Sequence, residues 1–177
     1  MNRREFTTAA AAFTLVPMPA NASVEVLALK RNGWMPNNDR LPVLLYRGVL
    51  DPKASDPASA CEQLFTRNGW PPQWRNGVYR FHHYHSNAHE ALAFAGGAAS
   101  LRLGGPDGTD VTVSAGDAVL LPAGTGHFQN EADKLFLVVG AYPPGQQNFD
   151  TCRTPANAAV QARIARLAPP ATDPVTG

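Results

Sequence analysis

Two stretches decide how this chain is read. The first is Gly77-Val78-Tyr79-Arg80-Phe81-His82-His83-Tyr84-His85-Ser86-Asn87-Ala88-His89-Glu90, running on through Leu92 and Phe94 to Gly97. The second is Gly116-Asp117-Ala118-Val119-Leu120-Leu121-Pro122-Ala123-Gly124-Thr125-Gly126-His127. All 5 histidines of the 177-residue chain lie within them. On extended backbone, residues two apart project to the same side, so His83 and His85 share a face and His82 points the other way. Ser86 and Asn87 allow a bend, after which Glu90 at the head of the next strand brings a carboxylate back toward the pair. His127 arrives from a separate turn behind Pro122 and Gly124. Three imidazoles and one carboxylate make a donor set for a divalent transition metal, Mn, Fe, Zn, Ni, Co or Cu, whose identity stays open. His89 is the alternative third protein ligand; parity favours Glu90, because it places Leu92 and Phe94 on the inward face of the same strand.

The same parity sets Tyr79 and Phe81 beside His83, and Gln129 beside His127. This predicts a pocket with aromatic walls, a phenol and an amide, suited to a small oxygen-bearing molecule such as a sugar acid or keto acid. The competing reading is that these aromatics simply fill the core.

Around this centre the chain reads as short strands parted by turns. Strands are expected over 24–29, 42–50, 78–85, 90–95, 100–103, 109–113, 118–121 and 135–142, with breaks such as Gly96-Gly97, Gly104-Gly105-Pro106-Asp107-Gly108 and Ala115-Gly116-Asp117. A first helix is expected over 56–68, with Asp56 as cap, Pro57 behind it, Cys61, Leu64 and Phe65 on one face and Gly69 as stop. A last helix is expected from a Thr154 cap through Val160, Ile164 and Leu167 to Pro169-Pro170. The 16 prolines and 15 glycines agree with many turns. The fold class is therefore all-β, a single domain over 23–177 with the barrel core at about 76–142 and a C-terminal helix at about 155–167.

Laid end to end, the two stretches satisfy G-x5-H-x-H-x4-E-x6-G at Gly77, His83, His85, Glu90 and Gly97, and G-x5-P-x-G-x2-H at Gly116, Pro122, Gly124 and His127. The pair resembles the signature of the cupin superfamily; only Asn130 stands one residue closer to the histidine than the usual spacing. Pro36-Asn37-Asn38, Leu41-Pro42, Trp74-Arg75-Asn76-Gly77, Gly140-Ala141-Tyr142-Pro143 and Asp173-Pro174-Val175 further resemble the YjlB-type branch of cupins. The resemblance implies a double-stranded β-helix, the jelly-roll barrel, holding a metal on His83, His85, Glu90 and His127. It implies no particular reaction, since that branch is of unknown function.

The first 22 residues carry Arg3-Arg4, Phe6, an apolar stretch from Ala9 to Val16 and the small-x-small site Ala20-Asn21-Ala22. This order resembles a twin-arginine export signal and places the mature protein in the periplasm or beyond, the alternative being a cytoplasmic chain with an irregular N-terminus. The formal charge is +1, and removing the leader leaves basic and acidic residues in balance, so no nucleic-acid partner is expected. No membrane span is expected in the mature chain. Cys61 and Cys152 are the 2 cysteines; one disulfide and two separate thiols are both open. A homodimer is the expected assembly.

Two functions follow from the constellation. One is a metal-dependent enzyme, an oxygenase, isomerase or decarboxylase acting on a small oxygen-rich molecule. The alternative is a non-catalytic protein that binds or stores a metal or small ligand.

Overall fold

A computed structural model describes residues 19–177. The expected leader lies outside the described residues except for Pro19 to Ala22, a turn closed by the Ala22 N–H donating to the Pro19 carbonyl at 2.8 Å. In chain order the elements are β1 (Ser23–Leu27), β2 (Val43–Arg47), α1 (Pro57–Arg67), β3 (Pro72–Asn76), β4 (Glu90–Gly96), β5 (Ala98–Leu103), β6 (Thr109–Ser114), β7 (Ala118–Leu121), β8 (His127–Ala132), β9 (Leu137–Ala141) and α2 (Ala158–Arg166). They build a 6-stranded sheet in the order β1-β2-β7-β4-β9-β3 and a 3-stranded sheet in the order β6-β5-β8. All pairings are antiparallel. Two sheets face to face with crossed-over strand order are the jelly roll, as the sequence led us to expect.

The packing follows from alternation along the strands. In β4, Leu92 and Phe94 turn inward with Leu45, Val119, Leu121 and Val138 of the large sheet, to meet Leu101, Leu103 and Val113 of the small one. The odd residues Ala91, Ala93 and Ala95 turn outward, and their small size lets α1 settle on them through Cys61, Leu64 and Phe65. Each large side chain buried this way contributes about 1.5–3 kcal/mol. The α1 cap is as expected: the Asp56 carboxylate accepts from the Ser59 N–H at 3.0 Å, and Pro57 opens the helix.

Four expectations are corrected. Residues 78–85 form no regular strand: His83 pairs with His127 on one side, Tyr84 with Cys152 on the other, so no ladder continues. The polar strands β3 and β8 were not anticipated; β3 starts on Pro72, which an edge strand accommodates because it needs no donor there. The barrel therefore draws on β1, β2 and β3 and is not confined to 76–142. The cap of α2 is Asn157, whose side chain accepts from the Val160 N–H at 3.0 Å, rather than Thr154, whose carbonyl instead accepts from the Tyr84 hydroxyl at 3.1 Å. Cys61 and Cys152 are both free thiols, Cys61 on the buried face of α1 and Cys152 against Asp150. No helix among the described residues is long and apolar enough to cross a membrane.

Candidate metal centre

His83, His85 and His127 are each at most 4% exposed, and one ring nitrogen of each lies within 4.8 Å of the others'. The backbone brings them together directly. The His83 N–H donates to the His127 carbonyl at 3.3 Å, and the His127 N–H donates back to His83 at 3.0 Å, so two histidines far apart in sequence sit side by side. Each ring is held by its Nδ1: His83 against the Phe81 carbonyl at 3.1 Å, His127 against the Thr125 carbonyl at 3.0 Å, and His85 against the Asp150 carbonyl. A carbonyl only accepts, so each Nδ1 carries the proton and each Nε2 presents a lone pair to the centre.

Glu90 completes the set. Its Oε2 lies 3.1 Å from His127 Nε2 and 3.4 Å from His85 Nε2, and this buried oxygen has no hydrogen-bond donor. Its Oε1 accepts from the Tyr142 hydroxyl at 2.5 Å, and the Tyr142 oxygen accepts from Trp74 Nε1 at 3.2 Å. An orphaned carboxylate oxygen facing imidazole lone pairs is the environment a cation satisfies, so the residues fit a divalent transition metal. Burial opposes charge on Glu90, but the facing His85 and His127 hold its carboxyl well below the usual carboxylate range. Burial and the neighbouring His127 and His85 lower His83 to about 2, which keeps it in the neutral, ligating form. His85 moves upward despite its burial, because the Glu90 carboxylate and the Asp150 carbonyl beside it favour the charged ring; an ion bound at its Nε2 would take the place of that second proton. Burial and the charge of Glu90 push the Tyr142 phenol up, so Tyr142 stays a donor.

The turn that delivers His127 is pinned from a distant loop. Asn37 donates its amide to the Lys30 and Gly104 carbonyls at 2.7 and 3.0 Å, and its Oδ1 accepts from the Gly126 N–H at 3.0 Å. Asn38 donates to the Ala123 carbonyl at 2.9 Å. Asn37 adopts a φ of 51°, a left-handed conformation that asparagine tolerates better than most residues. A Cβ at Gly126 would overlap the outer atoms of the buried Met35 side chain, which would have to move to admit one.

His89, the alternative to Glu90, lies outside the cluster of three histidines. Its Nδ1 accepts from the Ala123 N–H at 3.1 Å and its Nε2 donates to the Ala168 carbonyl at 3.0 Å, so both nitrogens are committed to the backbone. His82 faces away as expected and stacks on Phe128, ring centroids 4.6 Å apart.

A cavity of about 240 Å³ opens beside the donors. Tyr79 lines it as expected; Phe81 and Gln129 do not. Phe81 stacks instead on Tyr79 at 4.6 Å, with the Arg153 guanidinium 4.1 Å above it, and Gln129 joins the wall only by donating its backbone N–H to the Tyr79 carbonyl at 3.0 Å. The walls that sequence reasoning missed are Trp74, Tyr142 and Phe149. Phe149 is positioned by Asn87, which donates to the Asn148 carbonyl and accepts from the Asp150 N–H, both at 2.9 Å. Asp150 is gripped in turn by the Ser86 N–H at 2.6 Å. The residues expected only to bend the chain therefore also clamp a segment over the site.

No family model matches the sequence. The uncharacterised protein YjlB of Bacillus subtilis (strain 168) is 35% identical over 147 residues, 82% of this chain and 86% of that protein. Among solved structures, the chain is similar to acireductone dioxygenase from Bacillus anthracis, determined with a cadmium ion in its active centre, at 16% identity and a TM-score of 0.35, over 50% of this chain and 60% of that one. It is similar to a duf861 family protein from Thermotoga maritima at 17% identity and a TM-score of 0.33, over 51% and 93% of the two chains. It is also similar to the 11S allergen of Cocos nucifera at 18% identity and a TM-score of 0.36, over 53% and 29%. The chain thus spans less than two thirds of the dioxygenase and of the allergen. The relationship to YjlB has about twice the identity of these structural likenesses and covers most of both chains, and with the jelly roll and both histidine motifs in place, this chain belongs to the YjlB family of cupins.

Proposed function

We propose that the protein holds one divalent transition-metal ion on His83, His85, Glu90 and His127 and uses it on a small oxygen-rich molecule in an oxygenase, isomerase or decarboxylase type of reaction. One observation carries this reading: three Nδ1 protons are tied to carbonyls, so three Nε2 lone pairs converge with an orphaned Glu90 oxygen. When bound, such an ion supplies Lewis acidity and a place for substrate or oxygen to coordinate. The chain's own contribution is orientation. The carbonyls fix the imidazole tautomers, Tyr142 steadies one oxygen of Glu90, and Trp74 steadies Tyr142. The cavity beside the donors supports action on a ligand over simple metal storage, which needs no such space.

We further propose export, supported by Arg3-Arg4, Phe6 and Ala20-Asn21-Ala22; the twin-arginine route carries folded proteins and so permits loading of the ion beforehand. Both readings meet one test. The protein is recovered from the periplasmic fraction of its host and its metal measured by elemental mass spectrometry, for the wild type and for His83→Ala, His127→Ala and Glu90→Ala. The expected result is about one equivalent of a single transition metal in the wild type, lost in the variants. A wild type that stays metal-free after reconstitution overturns the metal reading, and retention of the chain in the cytoplasm overturns export.

A further inference from the structure

The ligand class is narrowed by a charge balance, which rests on the metal reading above. With an ion on the three Nε2 atoms, each histidine keeps one proton, the one its Nδ1 gives to a carbonyl, and so adds no charge. Glu90 carries one negative charge, so a divalent ion leaves the centre with one net positive charge. The cavity into which that charge faces is walled by Trp74, Tyr79, Tyr142, Phe149, Val78 and Leu92. Among the described residues no lysine or arginine lines it. Arg153 is stacked on Phe81 outside the lining, and Arg75 is engaged by Glu62 at 2.7 Å.

In such surroundings an uncompensated charge is costly. A ligand that binds as a monoanion cancels the charge of the centre, whereas a dianion leaves a negative charge with no cation to meet it. The walls also offer few polar groups. The Tyr142 hydroxyl is already given to Glu90, which leaves Asn76 and the Tyr79 hydroxyl as the main side-chain partners. A polyhydroxylated body therefore gains little here, while a flat apolar one finds ring surfaces to lie against.

We propose that the site selects planar molecules that chelate through two neighbouring oxygens as a monoanion and carry an aromatic or apolar body, as aryl keto acids and ring hydroxyketones do. It discriminates against dianionic chelators. Of the two substrates expected from sequence, this favours the keto acid over the sugar acid.

The test uses the full mature chain reconstituted with zinc, its stoichiometry established by elemental analysis before and after each titration. Maltol, acetohydroxamate and oxalate all close the same size of chelate ring through two oxygens. Maltol is a flat monoanion, acetohydroxamate a monoanion without a ring, and oxalate a dianion. Calorimetric affinities for the protein are compared with those for aqueous zinc in the same buffer. The expected result is a preference for maltol over oxalate at least ten-fold greater on the protein than on the free ion. Phe149→Ala, and independently the half-exposed Tyr79→Ala, which disturbs no core packing, should each weaken maltol at least five-fold and acetohydroxamate less than two-fold. A protein that takes up no zinc overturns the metal reading and this inference with it. A zinc-loaded protein that ranks the three chelators as the free ion does overturns the ligand class alone, as does a maltol affinity unmoved in both variants.

Discussion

His89 and Glu90 are adjacent, yet one staples backbone segments together while the other faces the metal centre. Along β4, Glu90 shares the inward face of Leu92 and Phe94, whereas the His89 ring reaches the turn at Ala123 and the segment at Ala168. Truncating His89→Ala removes an acceptor from a buried N–H and a donor from a carbonyl, and leaves a hole at a side chain 1% exposed. Each lost bond costs about 1–3 kcal/mol, so urea unfolding should show a loss of roughly 2–6 kcal/mol. The metal content should stay near that of the wild type. A folded His89→Ala protein that loses its ion would return His89 to the ligand set. That His83, His85, Glu90 and His127 come together was legible in sequence because their spacing is a local property of two strands and two turns. Trp74, Tyr142 and Phe149 were not, since what brings each to the cavity is a contact between distant segments, such as the bond from Trp74 to Tyr142.

Among the elements, β9 shows how a single missing side chain supports the site from outside it. The strand runs between β4 and β3, and Gly140 lies opposite Leu92 on one side and Trp74 on the other. A Cβ at position 140 would overlap the Trp74 indole. The expected result for Gly140→Ala is a displaced indole, a broken bond from Trp74 to Tyr142 and a loss of about 1–3 kcal/mol in stability. Tryptophan emission should shift to the red, and the shift should vanish when the change is made in a Trp74→Phe background. An unshifted spectrum with full stability would show that the indole has room to move. Periodicity read well where one strand face is apolar, as in β4, β5 and β7. It failed for β3 and β8, whose sequences Pro72-Gln73-Trp74-Arg75-Asn76 and His127-Phe128-Gln129-Asn130-Glu131-Ala132 are strands by hydrogen bonding rather than by apolar pattern. It over-reached at 78–85, where alternation is good but the backbone partners diverge.

Among the described residues three cores hold the molecule: two lie on opposite faces of the large sheet, the inner one meeting the small sheet that carries His127, and a third gathers Met35, Tyr84, Ala156 and Ile164. The outer core, under α1, is closed by the end of the chain. Val175 is buried there, Trp70 Nε1 donates to the Thr172 carbonyl at 3.1 Å, Asn68 donates to the Pro174 carbonyl at 2.8 Å, and the Tyr46 hydroxyl donates to Asp173. Burial and that carboxylate push the Tyr46 phenol up, so it remains a donor throughout the neutral range. Past Pro169-Pro170 no element is expected from sequence, because nothing local in Ala171-Thr172-Asp173-Pro174-Val175 announces its partners. Deleting residues 171–177 removes Val175 from the outer core, uncovers the apolar side chains packed around it, and leaves Trp70, Asn68 and Tyr46 without their acceptors. Apolar exposure and the lost hydrogen bonds together cost about 3–5 kcal/mol, which for a chain of this size lowers the melting temperature by roughly 10 °C. The metal site lies between the sheets, away from that face, so the truncated protein, measured below its transition, should bind the same equivalent of metal as the full chain. An unchanged melting temperature would show that the tail rests on the outer core without stabilising it, whereas a stable truncated protein that fails to bind metal would show that the two faces of the sheet are coupled.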